Sequence, residues 1–154
     1  MAEKIMAALH RQHPRDLFDV RHLLQNEGIE DSLRRAFIIY LVSHDRPMFE
    51  VLRGNGRDIS KEFERGFEGM TAEPVSLRDL IETREEMIDL VVGQMPEEHR
   101  RFLISFEKGQ PDWFLLGLTE AADLPAVKWR EKNLSGLKRE KRAELVSRLE
   151  EVLF

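Results

Sequence analysis

A chain of 154 residues suits a single domain, residues 1–154, large enough to bury about 70% of its unfolded surface. It has no cysteine, which excludes disulfides, thiolate metal sites and thiol nucleophiles. The net charge of -5 argues against general affinity for a phosphate backbone, and no apolar run reaches the ~20 residues needed to span a bilayer. Residues 1–6 lack the basic flank and apolar block of a signal peptide, so the expectation is a cytoplasmic protein with no membrane partner.

Hydrophobic periodicity is helical nearly everywhere and no segment alternates with period two. The prediction is an all-α fold of about eight or nine helices without a sheet. A first helix over 3–12 points Ile5 and Leu9 one way, with Ala8 at their edge. Lys4 and Arg11, seven positions apart, share another side with Ala7 and Ala8 between them. Pro14 suits the first position of a second helix, whose stripe is Leu17, Val20, Leu23 and Leu24 and whose end is Gly28. At 100° per residue Asp16 falls inside that stripe and Asp19 at its edge. A local role for Asp16 is open: in the first turn it can accept backbone N–H bonds and favour the helix dipole. Arg15 and Asp19 are spaced for an i, i+4 pair.

Asp31-Ser32 offers the next N-cap, and 33–43 is so apolar that a central helix is expected. Pro47 reopens a short helix, followed by Arg53-Gly54-Asn55-Gly56-Arg57, read as a plain turn because no strand precedes it. Ile59, Phe63 and Phe67 align on a helix over 59–70. Ser76 with Asp79 makes a capping box that starts the longest helix, roughly 77–93. Pro96 starts another, with His99, Arg100 and Arg101 in solvated first turns and Gly109 at its end. A short apolar turn follows at 111–116, a helix from Leu124-Pro125, and a last helix from about Leu137. Residues 128–148 hold eight Lys or Arg against three Glu, making Lys138, Lys141 and Arg142 the nucleic-acid candidates.

The five histidines lack metal-ligand spacing, there is no H-E-x-x-H, and no metal residue is assigned. No Gly-x-Ser-x-Gly marks a nucleophilic serine, and the nine Phe and two Trp read as core at helical spacing. What remains is Lys4, Arg11, Arg15, Asp16 and Asp19. Cations beside carboxylates are what phosphoryl or nucleotidyl transfer needs: the cations stabilise phosphate charge, and a carboxylate helps hold Mg²⁺ or accepts a proton.

Glu3-Lys4-Ile5-x-Ala7-Ala8-Leu9-x-Arg11, followed by Pro14-Arg15-Asp16-Leu17-Phe18-Asp19-Val20, resembles the signature in the second half of the AbiEii/AbiGii-type nucleotidyltransferase toxins of abortive infection. Gly109-x-Pro111-Asp112-Trp113 and Leu124-Pro125-Ala126-Val127-x-Trp129-x-x-x-Asn133-Leu134 are similar to their C-terminal part. The resemblance implies a nucleoside triphosphate and Mg²⁺ used to modify an acceptor such as tRNA. By position, Lys4 would contact phosphate and Asp16 would be the essential acid, with Arg11, Arg15 and Asp19 in support. The family's first half carries a Gly-Ser loop and an Asp-x-Asp pair, and neither occurs here. The expected entity is therefore the helical half of a composite enzyme, inactive until a nucleotidyltransferase domain or chain completes it. No cofactor is expected on this chain alone, and the vacated interface could drive homodimerisation. The alternative is a non-enzymatic helical module that binds a protein or RNA partner through its basic C-terminal region.

Overall fold

The computed structural model describes residues 1–54 and 56–154, so Asn55 of the glycine-flanked turn lies outside the described residues. Among them every regular element is helical. The order is α1 (Ala2–Arg11), α2 (Pro14–Asn26), α3 (Asp31–Ser43), α4 (Met48–Arg53), α5 (Ser60–Gly66), α6 (Leu77–Ile88), α7 (Glu97–Glu107), α8 (Trp113–Leu116), α9 (Pro125–Ser135) and α10 (Arg139–Leu153). Ten α-helices exceed the expected eight or nine because α4 and α8 are very short.

The local signals explain most boundaries. Pro14 occupies the first turn of α2, and Gly28, at φ 76°, carries the chain away after the amides of Glu27 and Gly28 both bond to the Leu23 carbonyl. The Ser76 hydroxyl accepts from the Asp79 amide while the Asp79 carboxylate accepts from the Ser76 amide, closing the expected capping box. Other boundaries moved. The N-cap of α3 is Glu30, and Asp31 sits one position inside, paired with Arg35 at 2.8 Å. The helix expected over 59–70 is only α5, although Ile59, Phe63 and Phe67 are all buried as aligned.

The element starting at Leu77 does reach Gly93, but its last turn, Asp89–Gly93, is a π-turn, which leaves α10 the longest α-helix. Widening to i→i+5 bonding frees backbone carbonyls. Two arginines take them: Arg34 donates to the Leu90 carbonyl at 2.7 Å, and Arg100 to those of Val92, Gly93 and Met95 at 2.9 Å each. Arg100 also donates to the Leu153 carbonyl at the end of α10. The expected solvated role of Arg100 is therefore overturned; it ties α7 to two other chain segments. His99 is likewise buried, beside Asp31, and not exposed as its charged neighbours suggested.

The core is continuous. α1 packs on α2 and α3, α2 on α6, α3 also on α7 and α9, and α10 on α4 and α7. Phe37, Ile38, Leu41 and Val42 make the inner face of α3, each fully buried. Burial of each such side chain stabilises the fold by about 1.5–3 kcal/mol. Tyr40, Phe114, Trp129 and Phe154 face solvent, so not every aromatic is core. Among the described residues no helix is long and apolar enough to cross a membrane.

Candidate functional site

α1 and α2 form a helical hairpin whose turn is Gln12-His13. His13 caps α2, its Nδ1 accepting from the Arg15 amide, so the first-turn cap considered for Asp16 belongs to His13. Asp16 is thereby left for a tertiary partner. Arg11 Nη2 bonds to Asp16 Oδ1 at 2.8 Å, and Lys4 Nζ lies 3.4 Å from Asp19 Oδ2. Asp19 thus pairs across the hairpin with Lys4 and not with Arg15, whose guanidinium has no ion pair among the described residues. The two cations are about 10 Å apart along α1 and the two acids about 4.5 Å apart along α2, at 1.5 Å rise per residue. Long basic side chains therefore converge on a compact pair of carboxylates.

The two ion pairs differ in burial. The Lys4 and Asp19 side chains are 43% and 46% exposed, whereas Asp16 is only 15% exposed. Asp16 Oδ2 is buried with no hydrogen-bond partner among the described residues. Its position in the apolar stripe, with Leu17 and Val20 fully buried beside it, accounts for this. Ala8 is buried in the core, so only Ala7 borders the space between Lys4 and Arg11.

The hairpin turn is held by residues that sequence reasoning missed. Gln12 is buried at φ 52°, a left-handed conformation that L residues occupy at a cost unless their surroundings hold them. Its Oε1 accepts from the Arg57 amide at 3.0 Å and from Arg84 Nη1 at 3.2 Å. Arg84, also buried, donates in addition to the Arg57 carbonyl at 2.7 Å, and Arg57 Nη1 reaches the Arg11 carbonyl at 3.4 Å. The unusual φ at Gln12 has no glycine or asparagine to announce it.

The C-terminal candidates are not gathered in the same way. Lys138 is the exposed N-cap of α10 and Lys141 pairs with Glu144 at 3.8 Å. Arg142 turns inward, where Nη2 donates to the Leu134 carbonyl at 2.5 Å. Nearby Glu107 is 1% exposed, and burial raises its carboxyl above the usual range, opposed by the positive charges of Arg130 and Arg142.

Two helices joined by a strained turn and laced by cation–carboxylate pairs define a helical domain that presents a charged corner. The chain belongs to the family described as nucleotidyl transferase AbiEii toxin, type IV toxin–antitoxin system, whose model matches residues 1–131. The match takes in the whole corner and stops before Lys138. No curated protein and no solved structure matches the chain.

The corner does not by itself fit a resident Mg²⁺. Asp16 and Asp19 each face a cation, and no group of three or more His, Asp or Glu among the described residues is arranged to hold a metal ion. Lys4, Arg11 and Arg15 do suit the charge of a polyphosphate.

Proposed function

We propose that this chain is the helical half of a nucleotidyltransferase-like toxin, contributing Lys4 and Asp16 to a nucleoside triphosphate site that a Gly-Ser and Asp-x-Asp core completes. The observation that carries the reading is the pair of ion pairs across the α1–α2 hairpin, inside the matched residues. An exposed pair such as Lys4–Asp19 is worth only about 0–1 kcal/mol, so Lys4 can exchange Asp19 for phosphate at little cost. Asp16 is different: Arg11 and the apolar stripe hold it in place. That rigidity supports Asp16 as the essential acid in this reading, with Arg11 positioning it and Asp19 as the counter-ion Lys4 leaves. Mg²⁺ would supply charge neutralisation at the phosphates, and its ligands would come mainly from the completing core. Arg15, on the first turn of α2 and without an ion pair among the described residues, would meet a phosphate or an acceptor strand.

The test is label transfer from nucleoside triphosphates to total tRNA with Mg²⁺. The chain alone is expected to transfer nothing, and to transfer once supplied with the core half of a relative that carries both motifs. Robust transfer by the chain alone would refute the need for completion. The rival reading, an interaction module acting through Lys138, Lys141 and Arg142, is weakened by the inward turn of Arg142. It predicts partner binding that survives Lys4→Met and Asp16→Asn.

A further inference from the structure

Beside the hairpin turn, a cleft of about 490 Å³ opens at the C-terminal end of α1, between α4, Arg57 and α10, with Gln12 in its lining. Four arginines line it, Arg46, Arg53, Arg57 and Arg148, against one carboxylate, Glu50, with His10 at its wall. In a chain of net charge -5 this is a concentrated reversal of sign.

The arginines are set in place by the fold. Arg46 bonds to Glu50 at 3.1 Å and places Nη1 3.2 Å from both the His10 carbonyl and His10 Nδ1. Arg57 is fixed through its backbone by Gln12 and Arg84, and its guanidinium pairs with Glu62 at 3.5 Å. Arg53 and Arg148 stand over the same ring, Phe49, at 5.9 and 5.4 Å from its centroid. Each such contact is worth about 0.5–1 kcal/mol at an exposed site, enough to orient a guanidinium. Arg148 has Glu144 at 3.2 Å, whereas Arg53 has no ion pair among the described residues. Two like charges sharing one ring repel, and an oxyanion between them turns that repulsion into two charge-assisted bonds.

We infer that this cleft is a binding site for a short phosphate chain, gripped by Arg53 and Arg148 across Phe49 with Arg46 and Arg57 at its walls. Planar guanidinium forks match phosphate oxygens two at a time, and clefts of 300–1,000 Å³ are of small-ligand size. The phosphates can come free in solution or from the 5′ end of a nucleic acid strand. The inference stands without the nucleotidyl-transfer reading, since Lys4 and Asp16 take no part in the cleft.

Calorimetric titration of the full chain with sodium tripolyphosphate at low salt tests it. Binding in the cleft is expected, weakened about tenfold by Arg53→Gln or Arg148→Gln and about a hundredfold by both, as loss of one or two charged hydrogen bonds implies. All these positions are exposed, and thermal melts of each variant establish that it is folded. Arg78→Gln, on the exposed surface of α6, is expected to leave binding unchanged, and any binding that Lys4→Met removes belongs to the α1–α2 corner and not to the cleft. Displacement of tripolyphosphate by a short 5′-phosphorylated RNA, but not by its unphosphorylated form, identifies a strand end as the source; no displacement identifies free phosphate. Absence of tripolyphosphate binding, or binding intact in the folded double variant, overturns the inference.

Discussion

The α1–α2 corner and the stretch 128–148 draw on the same residue types, yet their side chains have opposite fates. In the corner, cations and acids from different helices meet across a hairpin turn, and the charges stay together at one place. In the C-terminal stretch the excess of cations is dispersed: Arg130 and Arg142 turn inward to the carbonyls of Asp45 and Leu134, while Lys138 and Lys141 point to water. Composition marked the second region more strongly, but direction of the side chains decides which region can act as a site. The family match covers the corner and ends at residue 131.

The largest stability effect expected from breaking this contrast is at Arg142. Arg142→Met removes a charged donor from the Leu134 carbonyl and is predicted to lower urea-unfolding stability by about 2 kcal/mol, whereas Lys138→Met and Lys141→Met stay within about 0.5 kcal/mol. Equal small losses at all three would mean that the inward turn of Arg142 has no energetic weight. Next comes the corner. Arg11→Met leaves a partly buried carboxylate without its cation and should lose about 1–2 kcal/mol, with much of the loss recovered by adding Asp16→Asn. Additive losses in that double-mutant cycle would contradict the Arg11–Asp16 coupling.

The smallest effect is in the pH profile. Glu107 has its folded carboxyl raised above the ordinary 4.5 by burial, so the folded state holds its proton more tightly than the unfolded state. Its contribution is therefore intact at pH below 4.5 and declines as pH rises through the window between 4.5 and the raised folded value. Glu107→Gln should gain on the parent protein as pH rises from 4 to 7. A constant difference between the two across that range would refute the burial argument.

Much of the scaffold was legible in the sequence because helix periods and caps are local. Gly28, the Ser76–Asp79 box and the apolar stripes of α2 and α10 needed only neighbours within a turn or two. The corner was legible in part: the placement of Asp16 on the apolar face followed from 100° per residue, but its partner did not, because Arg11 lies on another helix. Long-range polar contacts escaped for the same reason. Nothing near Arg100 or Arg34 in sequence reveals that a π-turn will leave carbonyls for them, and His99 sits among charges that suggest exposure. The arginine cleft escaped too, since Arg148 of α10 is brought to Arg46, Arg53 and Arg57 only by tertiary packing, with Arg53 and Arg148 meeting at Phe49.

The central claim, that the corner and not the basic C-terminal stretch carries function, is tested most directly by tRNA labelling in the reconstituted system. Lys4→Met and Asp16→Asn should each reduce transfer by about a hundredfold or more, the scale of losing one aligned charge in a transition state, and Asp19→Asn by less. Lys138→Glu with Lys141→Glu should leave it unchanged. Full transfer in the Lys4 and Asp16 variants, with loss on charge reversal at 138 and 141, would contradict the account.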